Sequence, residues 1–175
     1  MNRSHIAAFV GLFIKNNNTM PKITLQAGDP APDFKGIDEN GQPVALSDFR
    51  GKKLILFFYP KDNTPSCTTE ACNLRDNYEL LRRQGFEMLG VSPDSPASHQ
   101  RFKTKHRLPF PLLADIDKTV LKAYGAWGPK ALYGRLFDGV LRTTAVIDEE
   151  GRIAKVFEKV KTGDHTRQIL EGLQG

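Results

Sequence analysis

The run KKLILFFYPKDNTPSCTTEAC (52–72) decides the fold. After its two lysines comes a short, unbroken apolar stretch, the mark of a strand covered on both faces. Pro60 stops it. Thr64, Pro65 and Ser66 then open a helix in which Ala71, Leu74, Tyr78 and Leu81 recur at three- and four-residue steps until Gly85. The segment thus predicts a buried strand, a loop at 60–66, and one amphipathic helix running from Cys67 to about Gly85.

Working outward, FEMLGVS (86–92) predicts the next strand and 96–106 a second helix, with Pro96 suited to its first turn. PLLAD (111–115) predicts a short strand and 117–124 a short helix. TTAVID (143–148) and RIAKVFE (152–158), joined by EEG, form a hairpin, and 164–173 a last helix with Asp164 as N-cap. GDPAPDF (28–34) is a proline-punctuated, extended lead-in. Alternating strands and helices predict an α/β fold, a central mixed sheet flanked by helices on both faces. Sites in such sheets lie beyond the carboxyl ends of the strands, which points to the 60–66 loop.

Composition narrows the classes. The 175 residues are 39% hydrophobic and 26% charged, as in a globular protein. The formal charge of +5 is mild. Its densest basic run, HQRFKTKHR (99–107), reads as the solvated face of a helix, so no nucleic-acid partner is expected. Two cysteines cannot staple a small secreted domain, and their number fits a reducing, cytoplasmic setting. The apolar IAAFVGLFI (6–14) falls short of the ~20 residues a membrane span needs, so no membrane partner is expected either. Residues 1–19 are expected to be a poorly ordered extension, and 20–175, opening at Met20, the folded domain.

Both cysteines, Cys67 and Cys72, sit in the opening run. Cys67 falls where a helix begins, and free backbone N–H groups and the helix dipole favour an anion there. An ordinary thiol is only about 3% ionised at pH 7, and making one mostly ionic takes roughly 3.4 kcal/mol. A helix terminus supplies about 0.3–1 kcal/mol, so a cation must help. Full ionisation raises the reactive fraction only about thirty-fold; larger accelerations require donors aimed at charge developing in the transition state.

Residues five apart on a helix point ~140° apart around the axis, with Cα atoms about 8.7 Å apart, beyond the ~7 Å reach of a disulfide. If the two cysteines bond, the first turn or two must unwind. Taken alone, Cys72 also fits a small buried hydrophobe. A zinc site is disfavoured, since C-x4-C is not the usual ligand spacing and His5, His99, His106 and His165 are scattered. The absence of C-x-x-C disfavours a thioredoxin-type disulfide exchanger. There is neither a G-x-S-x-G nor a phosphate-binding glycine loop. A redox sensor that signals by helix melting remains open on these residues.

FFYPKDNTPSCTTEACNLRD (57–76) resembles the active-site segment of peroxiredoxins, with Pro60, Thr64 and Cys67 filling P-x-x-x-T-x-x-C. A second cysteine five positions on is typical of the bacterioferritin comigratory protein, or Q-type, subfamily. GDPAPDF, GVSPDS, PFPLLAD, YGAWGPK and FDGVLRTTAVID have counterparts in matching order, so the likeness covers nearly the whole chain from Met20. Ser66 stands where glycine is commoner.

The resemblance implies a thioredoxin-like fold and a cofactor-free thiol peroxidase acting on hydroperoxides. Cys67 would be the peroxidatic cysteine, converted to a sulfenic acid. Cys72 would resolve it to an intramolecular disulfide that thioredoxin, or a similar dithiol protein, reduces. Thr64 would hydrogen-bond thiolate and peroxide, Pro60 would shield the pocket, and Arg142 would be the cation the energy estimate demands. Glu70 and Trp127 are further candidates for the lining. Monomers are usual in that subfamily.

Overall fold

The structure, a computed structural model, describes residues 24–175, so the expected 1–19 extension lies outside the described residues. The chain runs through β1 (Lys35–Ile37), β2 (Pro43–Ala45), a 3₁₀ turn (Leu46–Phe49) and β3 (Lys53–Phe58). Next come α1 (Pro65–Asp76), α2 (Tyr78–Arg83), β4 (Phe86–Ser92), α3 (Pro96–His106), β5 (Leu112–Ala114) and α4 (Thr119–Ala123). It closes with β6 (Trp127–Leu132), β7 (Arg135–Val140), β8 (Thr143–Ile147), β9 (Ile153–Phe157), a 3₁₀ turn (Thr162–Asp164) and α5 (His165–Gln174).

Five strands form a sheet in the order β5-β4-β3-β8-β9. β3 is parallel to β4 and antiparallel to β8, so the sheet is mixed, as its alternating elements and terminal hairpin predict. β3 lies at its centre, which explains the unbroken apolar run. Leu54, Leu56 and Phe58 pack to one side with Leu89, Val91, Leu121 and Tyr124. Ile55, Phe57 and Tyr59 pack to the other with Leu74, Leu81, Phe102 and Ile169. With helices on both faces, no position from Leu54 to Phe58 meets water, and the alternation of a half-exposed strand is lost.

Two features depart from the sequence expectations. The helix expected from Cys67 to Gly85 is two helices, α1 and α2, separated at Asn77 (φ −106°, ψ 14°). The Asn77 Nδ2 donates to Asn73 O at 2.8 Å, where its own N–H bonds at 3.3 Å. This is the asparagine habit of competing with the helix ladder. The apolar spacing crosses the break because both pieces lie on the same core.

The second departure is the β6–β7 ribbon, for which the sequence reading has no strands. Its loop is two residues, Tyr133 and Gly134, with φ of 49° and 75°, between the paired Leu132 and Arg135. That is hairpin-turn geometry with tyrosine where asparagine usually stands. A further small hairpin, β1–β2, follows the 28–34 lead-in.

Candidate active site

The loop leaving β3 is pinned before it reaches the helix. Asp62 is the anchor: its carboxylate accepts from Tyr59 Oη at 2.7 Å and Ser98 Oγ at 2.8 Å, and its N–H donates to Asp94 Oδ2 at 2.8 Å. His99 Nδ1 lies 2.7 Å from Asp62 Oδ2, and its Nε2 is 3.0 Å from Leu113 O. A carbonyl only accepts, so Nε2 carries a hydrogen. Asp62, Asp94 and His99 could group around a metal, their ligand atoms lying within 4.8 Å of one another. These hydrogen bonds already engage all three, and nothing calls for an ion.

Past the anchor, Asn63 takes a left-handed φ of 59° and turns the chain into α1. Half-buried Pro60 opens this loop directly after β3 and Tyr59. Thr64 is the N-cap residue; its Oγ1 donates to Lys61 O at 2.8 Å rather than capping the helix, while its carbonyl accepts from Thr68 N at 2.9 Å. Cys67 therefore stands in the first turn, as the spacing of Pro65 and Ser66 predicts, and is 1% exposed.

Arg142 reaches the sulfur from the far end of the sequence. It lies between β7 and β8, and Arg142 Nη2 sits 3.3 Å from Cys67 Sγ. Its Nη1 donates to Glu70 Oε2 at 2.5 Å. Burial opposes the guanidinium charge, but the Glu70 carboxylate and the Cys67 sulfur outweigh it and hold the Arg142 pKa above its usual value. Glu70 is wholly buried, and that burial, only partly offset by Arg142, pushes its pKa up to about 7. Glu70 Oε1 has no hydrogen-bond partner.

The group facing that orphan oxygen is His165 Nε2, at 3.7 Å. His165 is buried and its pKa is pushed down to about 4 by burial, with Arg142 adding to the effect and the Gln168 hydrogen bond opposing it. Its Nδ1 donates to Gln168 Oε1 at 2.9 Å, since that oxygen also accepts from Lys161 N. Nε2 is then the acceptor for Thr144 Oγ1 at 2.8 Å, leaving nothing to give Glu70.

The structure thus brings Cys67, Arg142 and Glu70 together, with Thr64 and Pro60 on the loop leading in. Trp127 packs against the opposite face's core, with Lys118 Nζ 5.4 Å above its ring. Cys72 is free and half-buried, its Sγ 3.9 Å from His106 Nδ1. A recess of about 450 Å³ among Asp33, Phe49, Arg50 and Asp148 lies near the opposite end of β3 from Cys67 and is lined by no cysteine.

The two ends of α1 are held unequally. Asn73 Nδ2 donates to Gly163 O at 3.1 Å, and Asn73 Oδ1 accepts from Thr166 N at 2.8 Å and Thr166 Oγ1 at 2.9 Å. Arg75 Nη1 donates to His106 O at 2.7 Å. The first turn is joined to the rest of the protein through buried Cys67 and its Arg142 contact, beside a Thr69 Oγ1 bond to Pro65 O inside the helix itself.

A buried thiol at a helix start, facing an arginine, on a mixed five-strand sheet: the chain belongs to the AhpC/TSA family, whose model matches residues 27–156. It is 43% identical over 152 residues to Peroxiredoxin Bcp of Bacillus subtilis, spanning 87% of this chain and 97% of the relative. To Peroxiredoxin Bcp of Escherichia coli K12 it is 43% identical over 150 residues, 86% of this chain and 96% of that one. A cysteine mutant of Xylella fastidiosa PrxQ superposes with a TM-score of 0.80 at 30% identity, covering 87% of this chain and 97% of that one. Peroxiredoxin Q of Xanthomonas campestris gives 0.78 at 32%, covering 85% and 96%. The fold is thioredoxin-like, and membership makes the protein a thiol peroxidase with a hydroperoxide substrate and a reductant partner. Among the described residues no helix is long and apolar enough to cross a membrane.

Proposed function

We propose that Cys67 is the peroxidatic nucleophile and Cys72 its resolving partner in a thioredoxin-recycled peroxidase. The observation that carries this is the 3.3 Å contact between Arg142 Nη2 and Cys67 Sγ in a buried first turn. The Cys67 thiolate attacks one peroxide oxygen, the O–O bond breaks, and hydroxide or alkoxide leaves, taking up a proton as water or alcohol. Cys67 becomes a sulfenic acid. The arginine, already charged and poor in hydration, faces the sulfur and the oxygen on which negative charge grows. Thr64 Oγ, on the same loop, turns from Lys61 O to donate to thiolate and peroxide, and Pro60 shields the pocket beneath them.

Cys72 then attacks the sulfenic sulfur, water leaves, and a Cys67–Cys72 disulfide forms after the first turn of α1 unwinds. Thioredoxin or a similar dithiol protein reduces it by exchange. A Xanthomonas campestris bacterioferritin comigratory protein, 31% identical, has alkyl peroxide reduction activity, and both hydrogen peroxide and organic hydroperoxides are the substrates proposed here. The enzyme works as a cytoplasmic monomer in antioxidant defence.

Peroxide consumption coupled to thioredoxin and its reductase tests this reading. Wild type turns over continuously, and Cys67→Ser loses activity to background. After one equivalent of peroxide the wild-type mass falls by the ~2 Da of a disulfide, whereas Cys72→Ser accumulates sulfenic acid. Full turnover by Cys67→Ser refutes the assignment.

A further inference from the structure

Cys72 has a partner that nothing in the peroxidase cycle above uses. His106, at the end of α3, presents Nδ1 to Cys72 Sγ at 3.9 Å, within reach of an S–H bond. The ring stands edge-on to Phe102 at 5.3 Å, and its Nε2 is buried without a hydrogen-bond partner. The charged groups around it are Arg75 from α1, Lys105 on its own helix and Arg107 just beyond; with His106 they line a recess of about 420 Å³. Burial, then Lys105 and Arg75, hold the His106 pKa below its usual value, so at pH 7 the imidazole is neutral and has a lone pair to offer.

We propose that His106 is a catalytic base for Cys72, taking its Sγ–H proton as Cys72 attacks the oxidised Cys67. The inference rests on the peroxidase reading and extends it to the resolving step. The Cys72 S–H bond breaks and its proton passes to Nδ1, while the sulfur's electron pair forms the bond to Cys67 Sγ. The S–O bond of the sulfenic acid breaks, and the departing hydroxide takes a proton and leaves as water. Cys72 is oxidised and Cys67 reduced to the common disulfide level, and the imidazolium returns its proton to the leaving group or to solvent. The lysine and two arginines nearby favour negative charge on sulfur as the proton departs.

The unequal tethering of α1 keeps this arrangement usable. Asn73 and Arg75 fix the half of the helix that holds Cys72, so Cys72 waits beside His106 while the loosely tied first turn carries Cys67 towards it. Cys67 is activated by a permanent cation before substrate arrives. Cys72 is activated by a weak neutral base that withdraws a proton only as the new bond forms.

The test follows the sulfenic acid by rapid mixing with one equivalent of hydrogen peroxide, quenching into dimedone and weighing the intact protein. In His106→Asn the sulfenic acid still forms, and at pH 7 it persists about 10²-fold longer than in wild type, the low end of what a general base contributes. The gap closes towards pH 9, where thiols ionise unaided. In His106→Gly, added imidazole enters the open recess and shortens the lifetime again. Equal lifetimes in wild type and His106→Asn overturn the proposal. So does a gap that is constant from pH 6 to 9 and deaf to imidazole, because that is a packing defect. Absence of any dimedone adduct in Cys72→Ser overturns instead the peroxidase reading beneath it.

Discussion

The two halves of α1 make opposite environments out of one helix. In the first turn, Cys67 is sealed from water and faced by Arg142, and that residue's other nitrogen holds a buried carboxylate. One and a half turns later, Cys72 is half-buried, faces the neutral imidazole of His106, and sits on backbone that Asn73 and Arg75 tie to α5 and α3. Charge is built in around the first sulfur, and position around the second. The difference teaches how a single helix can serve a reaction that needs its own distortion: the strongest electrostatics sit on the part free to move, the strongest tethers on the part that waits.

The largest way to break this contrast is Arg142→Ala. Ionisation alone accounts for at most about thirty-fold in reactive thiolate. A cation that also meets developing charge in a dry pocket is worth about 10²–10³-fold in rate. Peroxide reduction by the variant, measured at saturating reductant, is therefore expected to fall by more than 10²-fold. Alkylation by iodoacetamide at pH 7 should fall by no more than about thirty-fold, since that reaction asks only for thiolate. Equal losses in the two assays would confine the arginine to setting ionisation.

Glu70 sharpens the same side of the comparison through pH. Its pKa is raised to about 7, so between about 4.5 and 7 the native state holds a proton that the unfolded chain has lost, and its contribution makes stability fall as pH rises. His165, lowered to about 4, does the reverse: between about 4 and 6.5 the unfolded chain binds the extra proton and stability rises with pH. The two slopes oppose each other over nearly the same window. Glu70→Gln removes one of them. The variant should gain stability relative to wild type by about 3 kcal/mol between pH 4.5 and 7, read from urea midpoints at matched m-values. Parallel curves for variant and wild type would mean Glu70 stays ionised throughout.

How much of this was legible beforehand follows the distance over which each feature is encoded. The buried strand, the loop and the helix start at Cys67 are local, and KKLILFFYPKDNTPSC displays them directly. Arg142 is 75 residues from Cys67, and no spacing rule links the two; only the family pattern marks it. Glu70 carries a weak local signal, a carboxylate one helical turn from Cys67 beside the apolar Ala71 and Leu74, where a charge signals a buried partner. The histidines looked scattered because β-sheet order, and not sequence order, sets their neighbours: His99 meets Asp62, and His165 meets Thr144. The β6–β7 ribbon escaped because its turn uses Tyr133 and Gly134, and its exposed Leu132, Leu136 and Phe137 do not alternate with polar residues.

The smallest effect probes the waiting half of the helix. Asn73 bridges α1 to Gly163 and Thr166, and truncating it leaves the Thr166 N–H, on a residue 4% exposed, without its acceptor. Such a loss costs about 1–3 kcal/mol, so Asn73→Ala should unfold at correspondingly lower urea. More telling is where the loosening appears. In the wild type, amide hydrogen exchange should be faster at Thr68 and Thr69, ahead of the Glu70 bond to Arg142, than over Cys72–Asp76, because local opening starts from the less tethered end. In Asn73→Ala the second segment should approach the first, while the first barely changes. Uniform protection along the wild-type helix would remove the distinction between a mobile sulfur and a stationary one, and with it the reason for Cys72 to remain at His106.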